Sequence, residues 1–360
     1  MNYLFLATFL LCVSLFVIKS LPSVLMQDEI LFTFSVTSDS QADLNDPNIS
    51  DQDAKWTVNS PVFTKVIDSI QEQKPNMLFY LGDGINGYTG GDMNKLNNEY
   101  AFWRGSIARL FEAGIYVFPV PGNHEMLDFD AEAVKDITNV SREDAWRENM
   151  GDIIPNKKLW EKILCVPFTS SAWSDMDYAQ ADDGTITTDQ SKLSYSFDYK
   201  GAHFIIINTL ASGNESHVPI TRLKEDIFDA QRRGIKRIFI FGHEPAFSYK
   251  YDSSSKPRGL DVDTKARDEF WKVVKDSNST YFCGHEHLFN VSQPQNGEEY
   301  QIIVGPAGGP FKAQEPVRDP DILKYSWVTV KVHKNGQVHV DAYGFDQNER
   351  KIKVLKCWDL

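Results

Sequence analysis

Five short, largely apolar runs in this chain each end in a polar motif, and that repeated join constrains the fold more than any other feature of the sequence. Run 31–36 leads into Ser38-Asp39-Ser40-Gln41, and run 77–81 into Gly82-Asp83-Gly84. Run 116–120 leads into Gly122-Asn123-His124-Glu125. Run 237–241 leads into Gly242-His243-Glu244, and run 280–283 into Gly284-His285-Glu286-His287. Short apolar runs bounded by turn residues read as buried strands. Glycine at the join lets the backbone turn sharply as the strand ends.

Helical patterns separate these runs. Residues 61–73 read as a helix, with Ser60 as its N-cap and Pro61 in its first turn. Val62, Phe63, Val66, Ile67 and Ile70 share one face of it. Residues 96–113 form a second helical pattern stopped by Gly114, and an N-cap is expected at Ser141. Residues 195–198 and 203–209 read as a hairpin, followed by helices at 221–233 and 265–275 and a strand at 301–304. A C-terminal hairpin pairs 327–332 with 338–343 across Asn335-Gly336, a type I′ turn signal. The stretch 167–192, rich in Ser, Thr, Asp and Gly, reads as a long surface loop. Parallel strands early and antiparallel strands late predict one mixed α/β domain over residues 30–360.

In open α/β sheets, ligands bind beyond the carboxyl ends of the strands, so the fold would gather these motifs into one crevice. Their residue types are those of metal ligands: carboxylates, imidazoles and side-chain amide oxygens. Such mixed nitrogen and oxygen donors suit Fe, Zn or Mn rather than a thiolate-preferring metal. Each motif alone is weak, since a Gly-Asp after a strand is usually a turn. His285 and His287 say more, because alternate residues of an extended segment point the same way. All five together, in order and at strand ends, point to a metal site. The net charge of −13 argues against nucleic-acid binding and would repel a phosphorylated substrate unless bound cations reversed the local field.

The motif set resembles that of the calcineurin-like metallophosphoesterases, the superfamily that includes purple acid phosphatases and related phosphodiesterases. The segment Tyr195-Ser196-Phe197-Asp198-Tyr199 followed by His203-Phe204-Ile205 is similar to one in the purple acid phosphatase-like branch. The resemblance runs from Phe32 to about Gly309 and implies a four-layer sandwich of two mixed β-sheets flanked by helices. It implies two metal ions, both divalent or one trivalent and one divalent. Asp83 would bridge them, Asp39 and His287 would complete one site, and Asn123, His243 and His285 the other. His124 would hold the substrate or donate a proton, and a hydroxide between the metals would attack a small phosphorylated substrate. Two positions depart from the family pattern. Gln41 stands where histidine is usual, so its role as a ligand is the open position of the set. Asn86 stands where purple acid phosphatases carry a tyrosine, which argues against a tyrosinate–iron centre. Monoesters and diesters are not separated by these motifs. The competing reading is a non-catalytic metal- or ligand-binding protein on the same scaffold.

Residues 1–20 carry an apolar run ending at Ile18, expected to be a signal peptide followed by a short leader at 21–29; a membrane anchor left in place is the alternative. Asn48, Asn139, Asn214, Asn278 and Asn290 each begin an N-glycosylation sequon, consistent with a secreted or extracytoplasmic protein. Cys12 lies in the leader, which leaves Cys165, Cys283 and Cys357; Cys283 is expected to be buried, and Cys165 with Cys357 is the expected disulfide pair. His203 is expected to be a structural hydrogen-bonded histidine, His217 a loop residue, and His333 and His339 surface groups. The stretch Gly305-Pro306-Ala307-Gly308-Gly309 reads as either a rim of the site or a plain turn.

Overall fold

The computed structural model describes residues 29–41, 52–128, 139–168, 189–211, 214–249, 256–311, 322–346, 348 and 351–360. The expected leader and most of the expected 167–192 loop lie outside them. Strand β1 (Ile30–Thr37) is followed by α1 (Gln52–Gln73), β2 (Met77–Tyr80), α2 (Met93–Glu112), β3 (Tyr116–Pro119) and the short α3 (Asn123–Met126). Helices α4 (Asn139–Met150) and α5 (Lys157–Leu164) precede β4 (Tyr195–Tyr199) and β5 (Ala202–Ile206). A small pair, β6 (Leu210–Ala211) and β7 (Asn214–Glu215), leads to α6 (Ile220–Arg232), β8 (Arg237–Phe241), α7 (Thr264–Asp276) and β9 (Thr280–Cys283). Then come β10 (Asn290–Ser292), β11 (Gln301–Ile303), β12 (Tyr325–His333), β13 (Val338–Phe345) and β14 (Lys353–Asp359).

Two mixed six-stranded sheets result, in the orders β14-β13-β12-β1-β2-β3 and β10-β11-β9-β8-β5-β4. In the first, β1, β2 and β3 run parallel and β12 to β14 antiparallel. In the second, β5, β8, β9 and β11 are parallel, flanked by antiparallel β4 and β10. Strand alternation sends one side chain inward and the next outward. Phe34 and Phe79 point into the space between the sheets, where Phe34 meets Phe239 at 5.0 Å between ring centroids and Phe79 stacks on Phe241 at 3.9 Å. Their neighbours face out: Tyr80 meets Trp103 of α2 at 4.9 Å, and Tyr281 of β9 meets Phe270 of α7 at 4.9 Å. The layers are therefore helix, sheet, sheet, helix, as the resemblance implied. Each aromatic pair adds about 1 kcal/mol beyond the area it buries.

The strands expected from apolar runs all form, but several details differ. Helix α1 begins at Gln52 and runs through Pro61, which lies inside it and not in its first turn. Pro61 therefore forgoes one helical hydrogen bond, and Ser60 is no N-cap. Ser141 likewise lies within α4. Strand β14 was not expected because its exposure follows no two-residue period; it is ordered by pairing with β13. The turn between β12 and β13 joins Gly336 N–H to His333 O at 3.1 Å, and only Gly336 in it has positive φ. A type I′ turn needs two such residues, so the sequence signal gave the position of the turn but not its type. Cys165, Cys283 and Cys357 are all free. The expected Cys165–Cys357 pair fails on distance. Cys165 caps α5, whose Trp160 packs on Phe118 of β3, whereas Cys357 lies on β14 at the opposite edge of that sheet. Five strand spacings separate those edges, about 24 Å, where a disulfide needs Cα atoms within about 7 Å. Among the described residues no helix is long and apolar enough to cross a membrane.

His203 is structural, as expected. It is fully buried on β5, with Nδ1 at 2.6 Å from Asp198 and Nε2 at 2.9 Å from Asp226 of α6. Arg233 completes the group, 2.9 Å from Asp198. Burial pulls the imidazole pKa down, but the two carboxylates outweigh burial and raise it. A raised folded-state value means that its stabilisation is fully present below about pH 6.5, the unfolded value, and is lost as pH rises through the folded value. Replacing His203 with Leu leaves Asp226 buried beside an apolar group. The expected cost is about 3 kcal/mol at pH 6, shrinking as pH rises. Denaturant unfolding of both proteins across pH 6–9 checks this; a difference that grows with pH would contradict it.

Candidate metal centre

The carboxyl ends of β1, β2, β3, β8 and β9 meet at one edge of the sandwich. Backbone hydrogen bonds stitch the motifs together: Asp39 N–H donates to Gly82 O at 3.0 Å, Ser40 N–H to Asp83 O at 2.9 Å, and Gly284 N–H to His243 O at 2.9 Å. The turns are tight. Asp39, Asp83, His285 and His287 all have φ between 52° and 69°, a region that non-glycine residues seldom occupy. Gly82, at φ 84°, lies so close to Gly122 that an added Cβ would stand 2.7 Å from its backbone.

Two sets of donor atoms form around Asp83. On one side, Asp39 Oδ1 lies 3.2 Å from His287 Nε2. Gln41 Nε2 donates to Asp83 Oδ2 at 3.0 Å and lies 2.8 Å from that same histidine nitrogen. On the other side, Asn123 Oδ1 lies 3.1 Å from His243 Nε2 and 2.9 Å from His285 Nδ1, and Asp83 Oδ1 is 3.3 Å from His243 Nε2. The tautomers follow from the outward contacts. His243 Nδ1 donates to Leu81 O at 2.6 Å, and His287 Nδ1 donates to Pro310 O. The Nε2 atom of His243 therefore turns a lone pair toward the Asn123 and Asp83 oxygens, and that of His287 turns one toward Asp39 Oδ1 as well as the Gln41 amide nitrogen. Such atoms repel unless a proton or a cation lies between them. Asp39 Oδ1 and Gln41 Oε1 are buried with no hydrogen-bond donor among the described residues. Burial pulls the His243 pKa down, yet Asp83 and Asp39 push it up to about 10. A field that holds a proton this strongly suits a metal cation in its place, and these nitrogen and oxygen donors fit Fe, Zn or Mn.

All eight residues singled out in the sequence meet here: Asp39, Gln41, Asp83, Asn123, His124, His243, His285 and His287. His124 follows Asn123 in the first turn of α3. Its backbone N–H donates to Asp83 Oδ1 at 3.0 Å, its Nδ1 donates to Asn86 O, and its Nε2 stands 3.8 Å from Asp83 Oδ2. Asn86 thus contributes its backbone carbonyl to His124. The 305–309 stretch is a rim: Ala307 and Gly309 donate backbone N–H groups to Asp39 O at 3.0 and 2.9 Å. His217 instead pairs with Asp263 at 3.4 Å. A further His, Asp and Cys group, His339 with Asp341 and Cys357, lies on the distant β13–β14 pair, where Asp341 is bound by Lys331 and His339.

Glu125 is a residue that the sequence reading gave no role. Its carboxylate accepts backbone N–H groups from Gly122 at 2.8 Å, Asp83 at 2.9 Å and Gly84 at 2.8 Å. It therefore ties the β2 turn to the β3 turn and aims Asp83. Burial, followed by the charge of Asp83, raises its pKa to about 7. The available signal was its place three residues after Gly122, at the N-terminal turn of a helix.

A family model described as calcineurin-like phosphoesterase matches residues 32–289, which include all five motifs. No curated protein matches the sequence. Among solved structures, a purple acid phosphatase from yellow lupin (Lupinus luteus) seeds is 13% identical, with a TM-score of 0.56 over 92% of this chain and 54% of that one. This chain thus spans about half the length of the lupin protein. A dimetal phosphatase from Danio rerio is 12% identical, with a TM-score of 0.53 over 91% of this chain and all of that one. PhoD is 12% identical, with a TM-score of 0.57 over 91% of this chain and 69% of that one. At such identities the three structures share a fold with this chain. The family model covers well over half of the sequence and contains every strand-end motif, and on that match the chain belongs to the calcineurin-like phosphoesterase family.

Proposed function

We propose that the protein hydrolyses a small phosphate ester using two metal ions held on either side of Asp83. The observation that carries this reading is the placement of that carboxylate, whose Oδ2 accepts from Gln41 Nε2 at 3.0 Å and whose Oδ1 is 3.3 Å from His243 Nε2, one oxygen toward each group of residues. Asp39, Gln41, Asp83 and His287 would hold one ion; Asp83, Asn123, His243 and His285 would hold the other. Two such cations supply Lewis-acid polarisation of the phosphoryl group and offset the repulsion that these carboxylates exert on a phosphate. Asn86 O takes the Nδ1 proton of His124, so a proton given to the departing ester oxygen is carried at Nε2. The test is metal analysis together with turnover of an aryl phosphate monoester and the corresponding diester. Replacing His124 with Ala should lower kcat about 100-fold or more while both ions stay bound. Turnover close to the parent's in that variant would remove His124 from the chemistry.

Gln41 places a neutral amide where the family pattern has an imidazole. An amide oxygen is a harder and weaker donor toward zinc or iron, so this set favours Mn or Mg relative to the other. The Gln41 end of the site should bind its ion less tightly, and Mn should restore activity best. The variant Gln41→His should tighten that ion and Gln41→Ala should loosen it further, as read by metal titration. Equal affinity in Gln41→Ala and the parent would show that Gln41 is no ligand.

We also propose that the protein enters the secretory pathway. The apolar segment before Lys19 supports this, as does Asn278, the first residue of a sequon, exposed on the turn between α7 and β9. Whether the segment is cleaved or kept as an anchor is read from the mature N-terminus. Expressed in a eukaryotic cell, the protein should lose mass on enzymatic deglycosylation, and unglycosylated cytosolic protein would defeat the proposal.

A further inference from the structure

One side chain at the mouth of the site is unused by the scheme above. Tyr88 is half-buried in the turn between β2 and α2. Its ring stacks on the imidazole of His124, with centroids 4.3 Å apart and planes 18° from parallel. Its phenol oxygen accepts a hydrogen bond from Asn123 Nδ2 at 3.2 Å. The other end of that carboxamide, Oδ1, is the atom that faces His243 and His285. The oxygen and nitrogen of a carboxamide are told apart by their partners. An acceptor on the outer side keeps the amide nitrogen out and the oxygen in, toward a cation.

The turn that carries Tyr88 is pinned on both sides. Gly87 N–H donates to Glu99 at 2.8 Å, and Gly87 O accepts from Arg142 at 2.6 Å. Arg142 also pairs with Asp128 at 2.5 Å, both side chains being almost wholly buried, and Asp128 accepts the Gly91 N–H at 2.9 Å. Gly87 has φ 74° and packs so closely on the His124 carbonyl that any Cβ would collide with it. A buried ion pair and a glycine that admits no side chain hold the Tyr88 backbone against α3. This is the support expected for a side chain whose position matters to a site.

We propose that Tyr88 is a positioning residue with two separable actions: its phenol orients Asn123 toward the second metal ion, and its ring holds His124 over the phosphate. The proposal rests on the two-metal reading above. Two substitutions divide the actions. Tyr88→Phe keeps the ring and loses the oxygen; Tyr88→Leu loses both. Equilibrium dialysis of the full-length chain against buffered Mn²⁺ should show Tyr88→Phe binding the ion of the Asn123 set, the more tightly held of the two, with affinity reduced about 10-fold or more. Its kcat at saturating Mn²⁺ should stay within about 3-fold of the parent's. At saturating Mn²⁺, Tyr88→Leu should lose about 10-fold or more in kcat, with KM changed less. A residue that merely fills space would lower the thermal midpoint in both variants and leave Mn²⁺ affinity and kcat where they were. If Tyr88→Phe binds Mn²⁺ as tightly as the parent, or Tyr88→Leu turns over as fast, the proposal is overturned while the two-metal reading stands. A parent protein that takes up no Mn²⁺ and cleaves neither ester overturns the reading itself, and the Tyr88 proposal with it.

Discussion

The carboxylate of Asp83 is fully buried between two groups of electron-rich atoms, and the rest of the site depends on how it is held. A buried negative charge among lone pairs is costly unless a cation joins it. The chain meets that demand with backbone as well as side chains. Glu125 grips three N–H groups of the turns around Asp83, and Asp83 itself accepts the N–H of His124. The aim of this carboxylate is thus set by the relative placement of β2 and β3, and any shift between those strands would be felt at both donor sets at once.

That placement comes from the aromatic layer between the sheets. Phe79 of β2 stacks on Phe241 of β8, four residues before Asp83 and two residues before His243, respectively. Phe34 of β1 meets Phe282 of β9 at 5.9 Å, shortly before Asp39 and His285. Close-packed rings leave little freedom for one sheet to slide over the other. Rigid strands then deliver their terminal residues to fixed points, and the left-handed conformations of Asp39, Asp83, His285 and His287 are sustained by the surrounding bonds.

The acidic character of the protein takes on a different meaning near the site. With a net charge of −13 the surface repels phosphate, and Asp39, Asp83 and Glu125 would add to that locally. In the proposed mechanism, two bound cations would invert the field where the ester sits. His124 has Nε2 beside Asp83, with the Nδ1 proton committed to Asn86 O. Gln41 and Tyr88 sit on opposite sides of this arrangement, one against Asp83 and the other against Asn123.

Much of this was legible in the amino-acid order because it is local. An apolar run followed by Gly-Asp or Gly-His makes a strand and then a turn wherever it occurs, and five of them in order define the edge where ligands gather. His203 was read as structural because it enters an apolar strand. Other features were settled only through space. Glu125 and Tyr88 act on groups 35 to 42 residues away in the chain, through contacts that carry no sequence period. Strand β14 is ordered by the edge of β13 and not by its own pattern. Cys165 and Cys357 are separated by a whole sheet. Sequence alone determined which residues could bind metal and that strand ends would present them; the tertiary structure decided which atoms face each other, because the direction of a lone pair depends on neighbours that packing, and not chain order, brings into contact.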